Sequence, residues 1–154
     1  CRVLRCGPLN EHDTLSALTM SGLEAARAQQ VALLAPGRPG RGLHLDGGDA
    51  AAASEAMTAA LHNLAGAGAR SLHAVLGAAA KSDAARASAM ETLRLSLQKR
   101  AARESDPVVA GDWASAALDV MRLDAEAQAL NQDRAQTVAA ALSRVSRLAR
   151  PGQR

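Results

Sequence analysis

A chain of 154 residues suits one domain, or a small domain with flexible ends. Hydrophobic residues make up 48% of it and aromatic residues 1%, with much alanine, then leucine, and no Phe or Tyr. Because strands favour β-branched and aromatic residues whereas alanine favours helices, this composition predicts an all-α protein and excludes a β-rich one. The net charge of +3 is too small to decide whether nucleic acid is a partner. A single-stranded nucleic-acid site is disfavoured, because Trp113 is the one residue that could stack on a base.

The first 48 residues predict a flexible segment, one helix and a linker. Capping side chains from Asn10 to Asp13 precede an imperfect apolar face, so the first helix is expected over about 11–35. Pro36 lacks an amide donor and ends this helix. The stretch that follows, as far as Gly48, is rich in glycine, proline and arginine, which predicts a long exposed linker without regular structure.

Residues 49–154 predict a helical bundle, so that the whole chain has four to five helices. The glycines within 50–80 leave open whether this stretch forms one interrupted helix or two short ones. Ser82 or Asp83 can cap the next helix, and the Ser-Asp-Pro run at 105–107 ends it.

The last predicted element is one long amphipathic helix over about 112–149. No glycine or proline occurs in this range, and apolar residues recur through it with helical spacing. At 1.5 Å per residue the helix would span about 55 Å, which is more than a compact bundle of this size needs. Part of its apolar stripe is therefore expected to bind a protein partner or a second copy. The predicted interface residues are Trp113, Val120, Leu123, Leu130, Arg134, Val138, Leu142 and Val145.

Specific roles are predicted for two of these residues. Trp113 is expected to be a core or interface anchor, because a tryptophan buries more area than any other side chain. Arg134 interrupts the apolar stripe, which leaves two interpretations open. It belongs either to a polar layer that sets the register of a partner helix or to a locally exposed turn.

The C-terminal end is basic, with Arg144, Arg147 and Arg150 at intervals of three residues. Cations at the C-terminal end of a helix complement its dipole, which is one explanation for this cluster. The other is contact with nucleic acid or with an anionic membrane surface.

No pattern of catalytic, cofactor-binding or metal-binding residues emerges from the sequence, so we predict a protein that is not an enzyme and needs no cofactor. A GxSxG nucleophile elbow does not occur, and no set of ligands accompanies His62 and His73. The spacing of Cys1 and Cys6 matches neither a CxxC redox motif nor a zinc knuckle.

Apolar runs stay well below the roughly 18 residues that cross a bilayer, which predicts a soluble protein without a membrane span. We expect it in a bacterial cytoplasm or as an exported subunit. Because its first residue is Cys rather than Met, the chain is interpreted as either a processed form or a fragment.

These patterns lead to a non-enzymatic structural or adaptor subunit that assembles through its C-terminal amphipathic helix. A basic N-terminal half followed by such a helix resembles small axial subunits of flagellar or type III secretion machinery, over roughly the last 40 residues. The resemblance implies a component of a bacterial secretion or flagellar-type assembly. The alternative function is a basic helical module that binds nucleic acid or an acidic partner. An alanine-, arginine- and glycine-rich fragment without a function of its own is a further possibility.

Overall fold

The computed structural model describes residues 7–44, 47–62 and 69–149, and every regular element in these ranges is a helix. The all-α prediction is confirmed, whereas the expected count of four to five helices is too low. The described ranges contain eight: α1 (Glu11–Met20), α2 (Ala25–Leu34), α3 (Pro39–His44), α4 (Gly48–His62), α5 (Ala69–Ala79), α6 (Asp83–Arg103), α7 (Pro107–Ala129) and α8 (Arg134–Ala149). The chain divides into two compact units, Cys1–Gly48 and Asp49–Arg154.

The predicted first helix over 11–35 is wrong, because two helices occupy this range. Gly22 ends α1 with a φ of +96°, a left-handed conformation that glycine adopts without steric cost. Its amide donates to the carbonyl of Thr19, and the amide of Leu23 donates to the carbonyl of Leu18, at 3.0 and 3.2 Å. This pair of bonds is the Schellman motif, which ends a helix and turns the chain.

The predicted irregular linker is also wrong in part, because α3 forms within it. Pro39 is the first residue of α3, a position where its missing amide donor costs nothing. Gly42 is buried, and a Cβ atom there would lie 2.7 Å from Cγ1 of Val31 and 2.9 Å from Cδ2 of Leu18. Glycine therefore lets α3 approach a small core whose buried residues are Leu18, Leu23, Ala28, Val31 and Ala32.

Replacing Gly42 with alanine is expected to destabilise the N-terminal unit by about 1–3 kcal/mol, because the added methyl group overpacks this core. Gly40 in the same helix is the matched control, since a Cβ atom there meets nothing within 4 Å. Amide hydrogen exchange of peptides from 11–44, followed by mass spectrometry, reports this unit alone. Equal protection in the two variants would show that α3 does not pack closely on the core.

The C-terminal unit is a bundle in which α6 packs along α7 and also contacts α5 and α8. A hydrogen bond of 2.7 Å between the hydroxyls of Ser54 and Thr92 joins α4 to α6. Small side chains fill much of the interior, so the larger residues at its centre supply most of the buried apolar area. These are Met57, Val75, Met90, Leu93, Leu97, Trp113, Val120, Leu123, Val138, Leu142 and Val145.

Side-chain caps define the start of α6 and the start of α7. The hydroxyl of Ser82 accepts from the amide of Ala85 at 3.1 Å, so of the two predicted capping residues it is Ser82 that caps α6. Asp106 accepts from the amide of Val108 at 2.9 Å and is followed by Pro107 at the first helical position. Such a start is favourable for a helix, and it places the beginning of α7 five residues before the expected one.

The predicted continuous helix over 112–149 is wrong, because α7 and α8 are separate helices that pack against each other. Asn131 has a φ of +48°, the left-handed conformation that asparagine tolerates better than most residues. The amide of Gln132 donates to the carbonyl of Ala127 at 3.0 Å, which closes a second Schellman motif. Asp133 then caps α8 by accepting from the amide of Gln136 at 2.8 Å.

Candidate protein-interaction surface

Most of the predicted interface residues lie inside the C-terminal unit rather than on its surface. Because α7 turns back into α8 and both pack on α6, the stripe that one long helix would offer to a partner is covered by the chain itself. A partner must therefore contact other residues of this unit. The buried side chains, each with at most 9% exposure, are Trp113, Val120, Leu123, Val138, Leu142 and Val145.

Leu130 and Arg134 lie at the turn between α7 and α8, and Leu130 is exposed. Arg134 Nε donates to Asp83 Oδ1 at 2.8 Å, and its Nη1 donates to the carbonyl of Ala80 at 3.4 Å. The hydrogen bond from Arg134, together with its positive charge, lowers the pKa of the Asp83 carboxyl. The same hydrogen bond, together with the negative charge of Asp83, raises the pKa of the Arg134 guanidinium. Of the two interpretations of Arg134, the structure thus favours the exposed turn over a polar layer inside a packing seam.

The predicted anion-contact residues Arg144 and Arg147 line a cleft of 430 Å³ between α7 and α8. Asp112 and Asp119 line the same cleft. Their carboxylates would repel a phosphate group that approached the two arginines. Arg147 is also in the last turn of α8, where a cation complements the helix dipole. Arg150 lies outside the described residues.

A larger cleft of 680 Å³ opens between the starts of α6 and α8, and charged side chains line it. Arg86 lies in it and forms an ion pair with Asp124, while Arg134 pairs with Asp83. Each of these arginines is therefore neutralised by a carboxylate. This arrangement holds three helices together and leaves neither guanidinium without a counter-charge for a ligand.

The remaining sequence candidates do not come together into a chemical site. His62 and His73 are exposed on α4 and α5. Within the described ranges, no group of three or more histidine, cysteine, aspartate or glutamate side chains could hold a metal ion. Among these same helices, none is long and apolar enough to cross a membrane. Cys1 and Cys6 lie outside the described residues.

The surface feature that stands out is a second apolar face on α7, directed away from the core. It consists of Ala114, Leu118, Met121 and Ala125, which follow one another at intervals of four, three and four residues. All four side chains are exposed, and Leu118 and Met121 expose 54% and 48% of their surface. Residues three and four apart are neighbours on a helix, so these four form one continuous stripe, called here the outer stripe.

Charged side chains border the outer stripe on both sides. Towards α6, Arg94 makes two hydrogen bonds of 2.6 Å to the carboxylate of Glu91, beside a groove of 440 Å³ between α6 and α7. Towards α8, Arg122 borders the stripe, and its Nη1 lies 3.8 Å from Oδ1 of Asp119, which faces the cleft between α7 and α8. An apolar centre with a polar rim is the usual organisation of a protein interface.

Sequence reasoning missed the outer stripe for a physical reason. It assigned one apolar face to each helix, and α7 carries two. Alanine suits both a core and a surface, so Ala114 and Ala125 do not mark either face.

Comparisons with protein-family models, with curated proteins and with solved structures find no match to this chain. Any proposal about the function therefore depends on the surface of the chain itself.

Proposed function

We propose that the protein is a non-enzymatic helical structural or adaptor subunit that binds another protein helix through the outer stripe of α7. The observation that carries this proposal is the exposure of Leu118 and Met121, 54% and 48%, side by side on a regular helix. Burying a leucine or methionine side chain is worth roughly 1.5–3 kcal/mol. A partner that covers both residues gains the share of this free energy that belongs to their exposed surface, about half for each side chain, whereas the protein alone does not gain it.

The spacing of the stripe favours a helix as the partner. Intervals of four, three and four residues keep the stripe on one side of α7, the arrangement with which two helices pack side by side at a shallow angle. Ala114 and Ala125, at the two ends of the stripe, let the backbone of a partner helix approach closely. The groove between α6 and α7 continues this surface, so a docked helix would contact both helices.

Two functions suggested by the sequence, an axial subunit of secretion machinery and a nucleic-acid-binding module, lose part of their basis in the structure. The resemblance to axial subunits of secretion and flagellar machinery depends on one continuous helix, and the turn at Asn131 removes that basis. The alternative of nucleic-acid binding draws on several arginines, among them Arg144 and Arg147, which share their cleft with two carboxylates. Neither idea is therefore part of the proposed function.

Photo-crosslinking tests the proposal directly. A benzophenone amino acid in place of Leu118 should form covalent adducts in the cells that produce the protein. The same amino acid in place of Ala140, which is exposed on α8, should not. Addition of Met121→Asp should abolish the adducts at position 118, because a charge in the stripe opposes burial. The absence of adducts at position 118, both in cells and with purified protein, would contradict the proposed function.

A further inference from the structure

The apolar residues of the outer stripe are self-complementary about one point, and an acid and a base on its α6 border lie at the same level, which indicates what covers the stripe. We propose that the stripe binds the outer stripe of a second copy of this chain in antiparallel orientation. The two-fold axis would pass between Leu118 and Met121. This inference rests on the proposed function and names its partner.

The apolar residues are self-complementary about that axis. An antiparallel pair of α7 helices places Leu118 opposite Met121 of the second copy. In the same register, Ala114 lies opposite Ala125. The two bulky side chains thus meet at the centre, and the small side chains meet at both ends. An interface between identical copies requires such a match, because one patch must complement itself.

Two contacts determine which part of α6 lies beside the proposed axis. Arg86 forms an ion pair with Asp124, and the guanidinium of Arg100 lies 4.7 Å from the ring centre of Trp113. α6 and α7 therefore run antiparallel. The middle of the outer stripe lies about midway between these two contacts, so it is level with the middle of α6.

Glu91 and Arg94 occupy that middle part of α6 and carry opposite charges. The two-fold axis brings the α6 helices of the two copies towards each other on this side. Arg94 of one copy then lies near Glu91 of the other. The α6 border of the stripe thus carries an acid and a base at the level of the axis, and opposite charges meet there in the antiparallel dimer.

The size of the contact predicts a weak dimer. α7 has 23 residues and spans about 34 Å, but each copy contributes only two bulky apolar side chains to the centre. Interfaces of this kind fall at the small end of specific protein contacts. We therefore expect dissociation on dilution to low micromolar concentration.

Sedimentation velocity on the full chain tests the dimer. Between about 1 and about 200 μM, the molar mass should rise from that of the 15.8 kDa monomer towards twice that value. Leu118→Asp should remain monomeric at every concentration, and Ala140→Asp should behave like the unsubstituted chain. Circular dichroism verifies that each variant is folded. An unsubstituted chain that stays monomeric throughout would overturn the inference.

A charge exchange tests the orientation of the two copies. Glu91→Arg and Arg94→Glu should each weaken self-association at least about tenfold, because like charges then meet across the axis. An equimolar mixture of the two variants should dimerise, since each copy supplies the charge that the other needs. A mixture that stays as weak as its components would overturn the antiparallel arrangement.

The crosslinking experiment separates failure of this inference from failure of the proposed function. Adducts of the purified protein with itself at position 118 support the second copy as the partner. Adducts that form in cells but never with the purified protein would overturn the inference that the partner is a second copy. They would leave the proposed function intact.

Discussion

Replacement of Trp113 with alanine is expected to lower the free energy of unfolding of the C-terminal unit by about 3–5 kcal/mol. The indole is 4% exposed and lies in the core cluster that joins the helices of this unit. The sequence contains no other tryptophan and neither Phe nor Tyr, so alanine, leucine, valine and methionine supply the surrounding apolar area. Small neighbours cannot fill the cavity that this change creates, and cavity volume adds to the loss of stability.

Urea unfolding followed by far-ultraviolet circular dichroism measures this effect, since the substitution removes the fluorescent probe. Arg100→Met is the control, because it removes the cation above the ring and leaves the ring buried. It should cost about 0.5–1 kcal/mol. A loss below about 1 kcal/mol for Trp113→Ala would show that the indole does not anchor the core.

The elements that the sequence predicts well are those with a local chemical signal. Composition alone predicts the helical fold, because alanine and leucine dominate the apolar residues. The start of α6 follows from Ser82, whose hydroxyl can accept a backbone hydrogen bond, and its end follows from the Ser-Asp-Pro run. These signals act over three or four residues, so they do not depend on the rest of the fold.

The turn between α7 and α8 shows where this local reasoning fails. Asn131 and Asp133 are a left-handed residue and a cap, but both residue types also occur on the exposed faces of helices. The helical spacing of apolar residues continues across the turn, since both helices face the same core. Only the gain from packing α8 back onto α7 selects the turn over a continuous helix, and that gain is a property of the tertiary structure.

The outer stripe could not be predicted from the sequence for the same reason as the turn. The apolar residues of α7 lie on two faces, and the sequence does not say which face the neighbouring helices cover. Once α6 and α8 occupy one face, Leu118 and Met121 remain outside. The predicted interface residues and the observed exposed ones are therefore different parts of the same helix.

The second large effect is expected from Asp124→Asn. The side chain of Arg86 is 5% exposed and that of Asp124 is 22% exposed, so their ion pair is largely removed from water. The amide of Gln128 also donates to Asp124, at 3.1 Å. Asparagine keeps the shape of the side chain but leaves the buried guanidinium without a counter-charge. Breaking a buried pair in this way costs about 3–5 kcal/mol, mainly because the remaining charge stays desolvated.

Fluorescence of Trp113 during urea unfolding measures this change in the C-terminal unit alone, because no other tryptophan contributes. Lys81→Gln is the matched control, since it breaks the exposed pair of Lys81 and Asp49, 3.6 Å apart, and should cost about 1 kcal/mol or less. The double variant Arg86→Met with Asp124→Leu removes both charges and should recover most of the lost stability. Recovery of stability in the double variant would show that the loss in Asp124→Asn comes from the unpaired guanidinium of Arg86. A single variant no less stable than Lys81→Gln would contradict burial of the pair, because only a desolvated guanidinium makes the removal of one partner costly.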